Sequence, residues 1–193
     1  MARKKIEFHP DKLGSGLLSK FHITKQQRTS VLKWLLYICV LLVLSVVQDV
    51  ILSRFRIYGA SFDLIPCAII LICILEGSEN GCIFSLFASS CYAFSGSAPG
   101  VYCIAFITFL ALFASMFRQG FLRKGFGAAM LCLSVSMMLY EALVFSVVLF
   151  FGRVTFSRWS VFFLSGLLAL CVTPILYPII RSIEKIGGET WRD

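Results

Sequence analysis

Residues 126–151 read FGAAMLCLSVSMMLYEALVFSVVLFF, an apolar run interrupted by one carboxylic acid, Glu141. A helix of this length extends about 39 Å at 1.5 Å per residue, more than the roughly 30 Å of a bilayer's hydrocarbon. Working outward, further apolar runs fall at 34–52, 62–75, 81–95 and 101–117 before it and at 159–180 after it. The pattern predicts an all-α polytopic membrane protein with six transmembrane helices. Composition agrees: of 193 residues, 59% are hydrophobic and 15% charged, and the mean hydropathy is +0.88. Soluble domains carry about 25% charged residues, and even a well-folded one leaves roughly a third of its chain surface in water. A soluble enzyme, a nucleic-acid-binding domain and a disordered tail are excluded.

Two of the six runs are short. The cores at 62–75 and 81–95 extend only about 21–23 Å, so they cross only by recruiting flanking residues such as Tyr58 and Ser78 or by thinning the bilayer. A re-entrant hairpin is the competing reading. Orientation follows from the placement of Lys and Arg. With the N-terminus inside, 14 of the 18 basic residues lie on the cytosolic side, among them Arg118, Arg123, Lys124, Arg181, Lys185 and Arg192. Only Arg54, Arg56, Arg153 and Arg158 lie outside. Both termini are thus expected in the cytoplasm, as an even number of spans requires.

The expected organisation is a basic cytosolic arm at 1–33, a six-helix transmembrane domain at 34–181 and a short cytosolic tail at 182–193. The arm holds Arg3, Lys4, Lys5, Lys12, Lys20, Lys25, Arg28 and Lys33. The formal net charge of +8 would suggest nucleic acid in a soluble protein. Next to a membrane span it suits anionic lipid headgroups instead, at about 1 kcal/mol per basic residue, and no nucleic-acid partner is expected. Pro10, Gly14 and Gly16 break any helix in the arm. The first apolar run is too long for a cleaved signal and reads as a retained anchor.

Polar residues inside or beside the runs need a reason, because ionisable side chains are costly in lipid. Asp49, beside Gln48, lies near the outer end of the first run, while Asp63 and Glu76 bracket the second and read as hydrated, interfacial groups. Glu141 stands fifteen residues into its run with no basic residue in any span to pair with it. It either carries a proton or meets a partner from another helix, with Gln48, Tyr92 or a second protein as the options. Its blandest use is to fasten helices together. Gly77 and Gly81, and Gly96 and Gly100, are each four apart, a spacing that lets helix backbones approach closely. Pro174 and Pro178 should bend or loosen the last helix.

No H-E-x-x-H, P-loop or G-x-S-x-G motif is present. Ser182-Ile183-Glu184-Lys185 matches S-x-x-K but follows the last run, with no folded domain around it. The eight cysteines sit in or beside apolar runs without C-x-x-C spacing, as small packing residues. Neither enzymatic activity, a metal nor a cofactor is expected.

The order of features resembles the MreD family of rod-shape-determining membrane proteins from the bacterial cell-wall elongation machinery. The resemblance rests on Gln48 closing the first run, Asp63-Leu64-Ile65-Pro66 opening the second, and Gly81. It continues through Phe94-Ser95-Gly96-Ser97-Ala98-Pro99-Gly100-Val101, the acid Glu141 and the closing Pro174-Ile175-Leu176-Tyr177-Pro178. It covers roughly residues 34–185, and its motifs are loose. Family members often carry an acid a few residues before the Gly96 position, where this chain has Tyr92. The resemblance implies a non-catalytic adaptor in the bacterial cell membrane that binds the bitopic protein MreC. Through it the adaptor would link MreB filaments to the peptidoglycan polymerase and the penicillin-binding transpeptidase. Gln48, Asp49, Tyr92, Gly96, Gly100 and Glu141 are the candidate partner-binding residues.

The alternative is the substrate-binding membrane subunit of an energy-coupling-factor vitamin or metal transporter, whose six-helix architecture the MreD family resembles. Short, sparsely polar outer loops weigh against it. A small lipid-processing enzyme is the third reading and lacks a nucleophile or metal set.

Overall fold

The computed structural model describes residues 25–54, 58–121 and 125–186. Most of the basic arm, the loop positions Arg56, Arg123 and Lys124, and the tail from residue 187 lie outside the described residues, along with the expectations placed on them. Helix α1 spans Lys25–Val46 and runs on through a π-helical turn, Val47–Ile51, and a 3-10 turn, Leu52–Arg54. There follow α2 (Leu64–Glu76), α3 (Ser78–Phe94), α4 (Tyr102–Phe121), α5 (Phe126–Phe150) and α6 (Trp159–Ile186).

The six-span expectation is corrected. Among the described residues, four helical stretches are long and apolar enough to cross a bilayer: Arg28–Arg54, Tyr102–Gly120, Phe126–Phe150 and Phe156–Ile186. Helix α2 has 13 residues, about 20 Å of length. Helix α3 has 17, about 26 Å, and opens with the polar Ser78-Glu79-Asn80. The likeness to the six-helix architecture of energy-coupling-factor substrate subunits depended on the count of six and goes with it.

The reason lies in where α2 sits. It packs against all five other helices, and all 13 of its residues are buried. A helix that is apolar around its whole circumference is one enclosed on every side. Its hydropathy therefore answers to the protein core, and no lipid-matched length is needed.

Local sequence sets the ends of this central helix. Pro66 lies in the first turn of α2, where a missing N–H leaves no hydrogen bond unmade. Gly77, at φ 100°, ends α2 in a conformation that a side chain resists, and α3 starts at the next residue. The resulting helical hairpin crosses tightly at Gly81, where an added Cβ would lie 2.6 Å from the Cys73 sulfur and 2.9 Å from its Cα. In α6 the helix is continuous from Trp159 to Ile186 through both Pro174 and Pro178.

Helix α1 is the peripheral element, packing principally on α2 and α6. Its ring contact to α3 is made by Trp34 and Tyr37, whose centroids lie 5.3 and 5.9 Å from that of Phe84.

Candidate functional site

Two polar clusters tie α1 to the bundle, one at each end of α2. At the first, the π turn places neighbouring residues on opposite sides: Gln48 is buried and Asp49 is exposed. The Gln48 side-chain carbonyl accepts the backbone N–H of Leu64 at 2.9 Å and of Ile65 at 3.2 Å. These are free donors of the first turn of α2, a job normally done by the N-cap residue's own side chain. The N-cap here, Asp63, makes no such bond. Its carboxylate instead accepts the Tyr92 hydroxyl of α3 at 2.9 Å and the Gln48 amide at 3.4 Å. A carboxylate beside a helix N-terminus is also favoured by the helix dipole. Just outside, the Ser97 hydroxyl bonds the Asp49 carboxylate at 3.0 Å, joining the end of α1 to the loop after α3.

At the opposite end, Glu76 is 4% exposed and Lys33 of α1 is 3% exposed. The Lys33 ammonium lies 2.7 Å from the Glu76 carboxylate, which also accepts the Tyr37 hydroxyl at 2.5 Å. The Arg118 guanidinium of α4 donates to the Ile74 carbonyl, satisfying an acceptor in the last turn of α2. Glu76 is therefore an enclosed, paired group rather than the hydrated interfacial acid expected of it. Asp63, expected at the same kind of interface, is partly buried and shared among three helices.

Between these two ties α1 and α3 stand apart, leaving an apolar groove of about 150 Å³. Ile38, Leu42 and Ser45 of α1 form one wall, Phe87 and Ala88 of α3 the other, and Ile65 of α2 the floor. Tyr92 lines one end of it, with its hydroxyl bonded to Asp63.

The candidate residues thus divide. Gln48 and Tyr92 meet on the Asp63 carboxylate, Asp49 bonds Ser97 in the loop after α3, and Tyr92 alone of the three lines the groove. Gly96 and Gly100 lie in the loop between α3 and α4, not on a helix face. Gly96 has φ +78°, so its conformation rather than helix contact requires glycine. Glu141 stands apart, 4% exposed on α5 and facing α6, where an added Cβ on Gly166 would lie 3.0 Å from its Cγ. Its Oε1 atom is buried without a hydrogen-bond partner. Gln48 and Tyr92, considered as partners for Glu141, are committed to Asp63 instead.

All eight cysteines are free thiols. Cys67 and Thr173 link α2 to α6 at 3.0 Å, and the Cys73 thiol reaches the Ala111 carbonyl of α4 at 3.3 Å. Among the described residues no three His, Cys, Asp or Glu side chains converge as a metal site would require.

Sequence reasoning assigned Lys33 to the cytosolic arm and so missed the Lys33–Glu76 pair. The usable signal was the four-residue step from Lys33 to Tyr37, which puts both on one helix face. The acid ending an apolar stretch too short to reach headgroups was a second signal.

Fold and hydropathy define an all-helical, multi-pass membrane protein. No family model, no curated protein and no solved structure matches the chain.

Proposed function

We propose that the chain is a non-catalytic membrane adaptor of the MreD kind, which binds a bitopic MreC-type protein within the bilayer. The observation that carries this reading is the separation of α1 from α3. It leaves an apolar groove lined at one end by Tyr92, whose hydroxyl bonds the Asp63 carboxylate that Gln48 also reaches. A groove between membrane-embedded helices, lined by small and apolar side chains, suits close packing of another helix. Short connections between the helices leave the membrane-embedded surface as the principal place for contact. The sequence resemblance supports the same reading through Gln48, Asp63, Glu141 and the closing Pro174 and Pro178.

In this reading the protein resides in the bacterial cell membrane with both termini cytoplasmic, as the Lys and Arg bias favours. The Lys33–Glu76 end then faces the cytoplasm and the Gln48–Asp63 end faces outward. Through the MreC-type partner it would join MreB filaments inside to the peptidoglycan polymerase and transpeptidase outside.

Native mass spectrometry on the tagged protein, gently extracted from its own membrane, tests the reading. A stoichiometric companion with one membrane span is the expected result. Recovery of the chain with an ATPase-containing transporter complex, or with a bound metabolite and no protein companion, would overturn it.

A further inference from the structure

Helix α1 exposes a broad face, and the edge of that face nearest the groove has a regular pattern. Val31, Leu35, Ile38, Leu42, Ser45 and Asp49 follow one another at steps of four, three, four, three and four residues. This is the 3.5-residue repeat by which two helices pack side by side with a left-handed crossing, the commonest geometry in membrane bundles. Val31, Leu35, Ile38 and Leu42 are exposed, and Ile38, Leu42 and Ser45 also form the groove wall. The stripe ends on Asp49, whose hydrogen bond to Ser97 fixes it on the groove side. The other edge of the face, Leu32, Cys39, Val43, Val46 and Val50, is exposed and wholly apolar, as suits contact with lipid alone.

Asp49 decides what can cover the stripe. It is an exposed carboxylate at the end of an apolar seam, and among the described residues its side chain is held by the Ser97 hydroxyl alone. A second copy of this chain would enter the bilayer in the same orientation. Symmetric pairing along the stripe would then set Asp49 against Asp49 and Arg28 against Arg28, a like-charge contact at both ends. Charge complementarity selects a different occupant. We infer that this stripe is the docking seam for a membrane-crossing helix of another protein, one with an apolar heptad face and a Lys or Arg at the depth of Asp49. The inference rests on the adaptor reading and specifies which surface the partner uses and what chemistry it must carry.

Photo-crosslinking of the full chain in its own membranes tests this, with benzoylphenylalanine placed at Leu42 on the seam or at Val43 on the opposite edge. The expected result is a discrete adduct from position 42, and not from 43, with a single-span protein that has a basic residue level with Asp49. Asp49→Lys should lower the adduct yield about three- to tenfold, the effect of losing one intramembrane polar contact. Replacing the partner's basic residue by Asp should restore it. Asp49→Asn, expected to lower the yield less than Asp49→Lys, covers the case in which the lysine variant fails to accumulate. An adduct between two copies of this chain, equal yields at 42 and 43, or an unchanged yield in both Asp49 variants would overturn the inference. A single-span companion seen by native mass spectrometry with no adduct at 42 would remove the seam and leave the adaptor reading standing. Absence of any companion would remove both.

Discussion

The side-chain carbonyl of Gln48 lies 2.9 Å from the backbone nitrogen of Leu64, so a residue at the end of α1 caps the central helix α2. Capping from another helix couples the position of α1 to the stability of the core. Because Gln48 takes those donors, Asp63 is left to receive Tyr92, and three helices share one polar junction.

Gln48→Leu removes the acceptor for both Leu64 and Ile65 and leaves those N–H groups buried. The expected cost is about 1–3 kcal/mol. Thermal unfolding in detergent, followed by helical circular dichroism, should show a lower midpoint. An unchanged midpoint would mean that the contact contributes nothing to holding α2.

Lys33→Met leaves Glu76 buried without its counter-charge while keeping the Tyr37 hydroxyl, at an expected cost of about 3–5 kcal/mol. Removing the acid as well should recover much of that loss. In a double-mutant cycle, Lys33→Met combined with Glu76→Gln should be more stable than Lys33→Met alone. Additive losses would show that the two residues do not act as a pair.

Gly81→Ala and Gly127→Ala should differ in sign. The added methyl at 81 meets the sulfur, Cα and carbonyl oxygen of Cys73, all within 3.0 Å, so α2 and α3 must separate. An overpacked contact of this kind costs about 1–3 kcal/mol. At Gly127, near the start of α5, nothing lies within 4 Å. There alanine should stabilise by roughly 0.5–1 kcal/mol through its better helix propensity. Equal effects on the unfolding midpoint would contradict the tight α2–α3 crossing.

Glu141→Met should raise stability by about 1–3 kcal/mol, because it removes a buried carboxyl oxygen that has no hydrogen-bond partner. Glu141→Gln keeps the shape and a polar end and should be tolerated. If instead the methionine variant unfolds at lower temperature, the acid fastens helices through a contact made in the membrane.

Much of this protein was legible in its chain. The runs that became α1, α4, α5 and α6 are long and continuous, and lipid imposes a length requirement that such runs meet on their own. Gln48 and Asp63 also stood out, because polar groups beside apolar runs are few. The sequence reading failed at α2. Hydropathy registers that a segment avoids water but does not distinguish burial in lipid from burial in protein. Leu64–Glu76 avoids water by lying among five other helices, so its 13 residues need not match any bilayer thickness.

Lys33 shows the same limit from the polar side. Beside an apolar run it reads as a surface charge, yet it is buried because Glu76, 43 positions further along, comes within 2.7 Å. A charge can leave water only when its counter-charge is in place, and that is a property of the assembled bundle. Glu141 is the converse, conspicuous in the chain yet with its Oε1 atom buried without a hydrogen-bond partner. The sequence by itself determined the solvent, the helical class and the long spans, since these follow from local hydropathy and length. The tertiary structure alone decided which short helix forms the centre, which charges pair and where α1 stands away from α3. Those outcomes depend on distances between residues far apart in the chain.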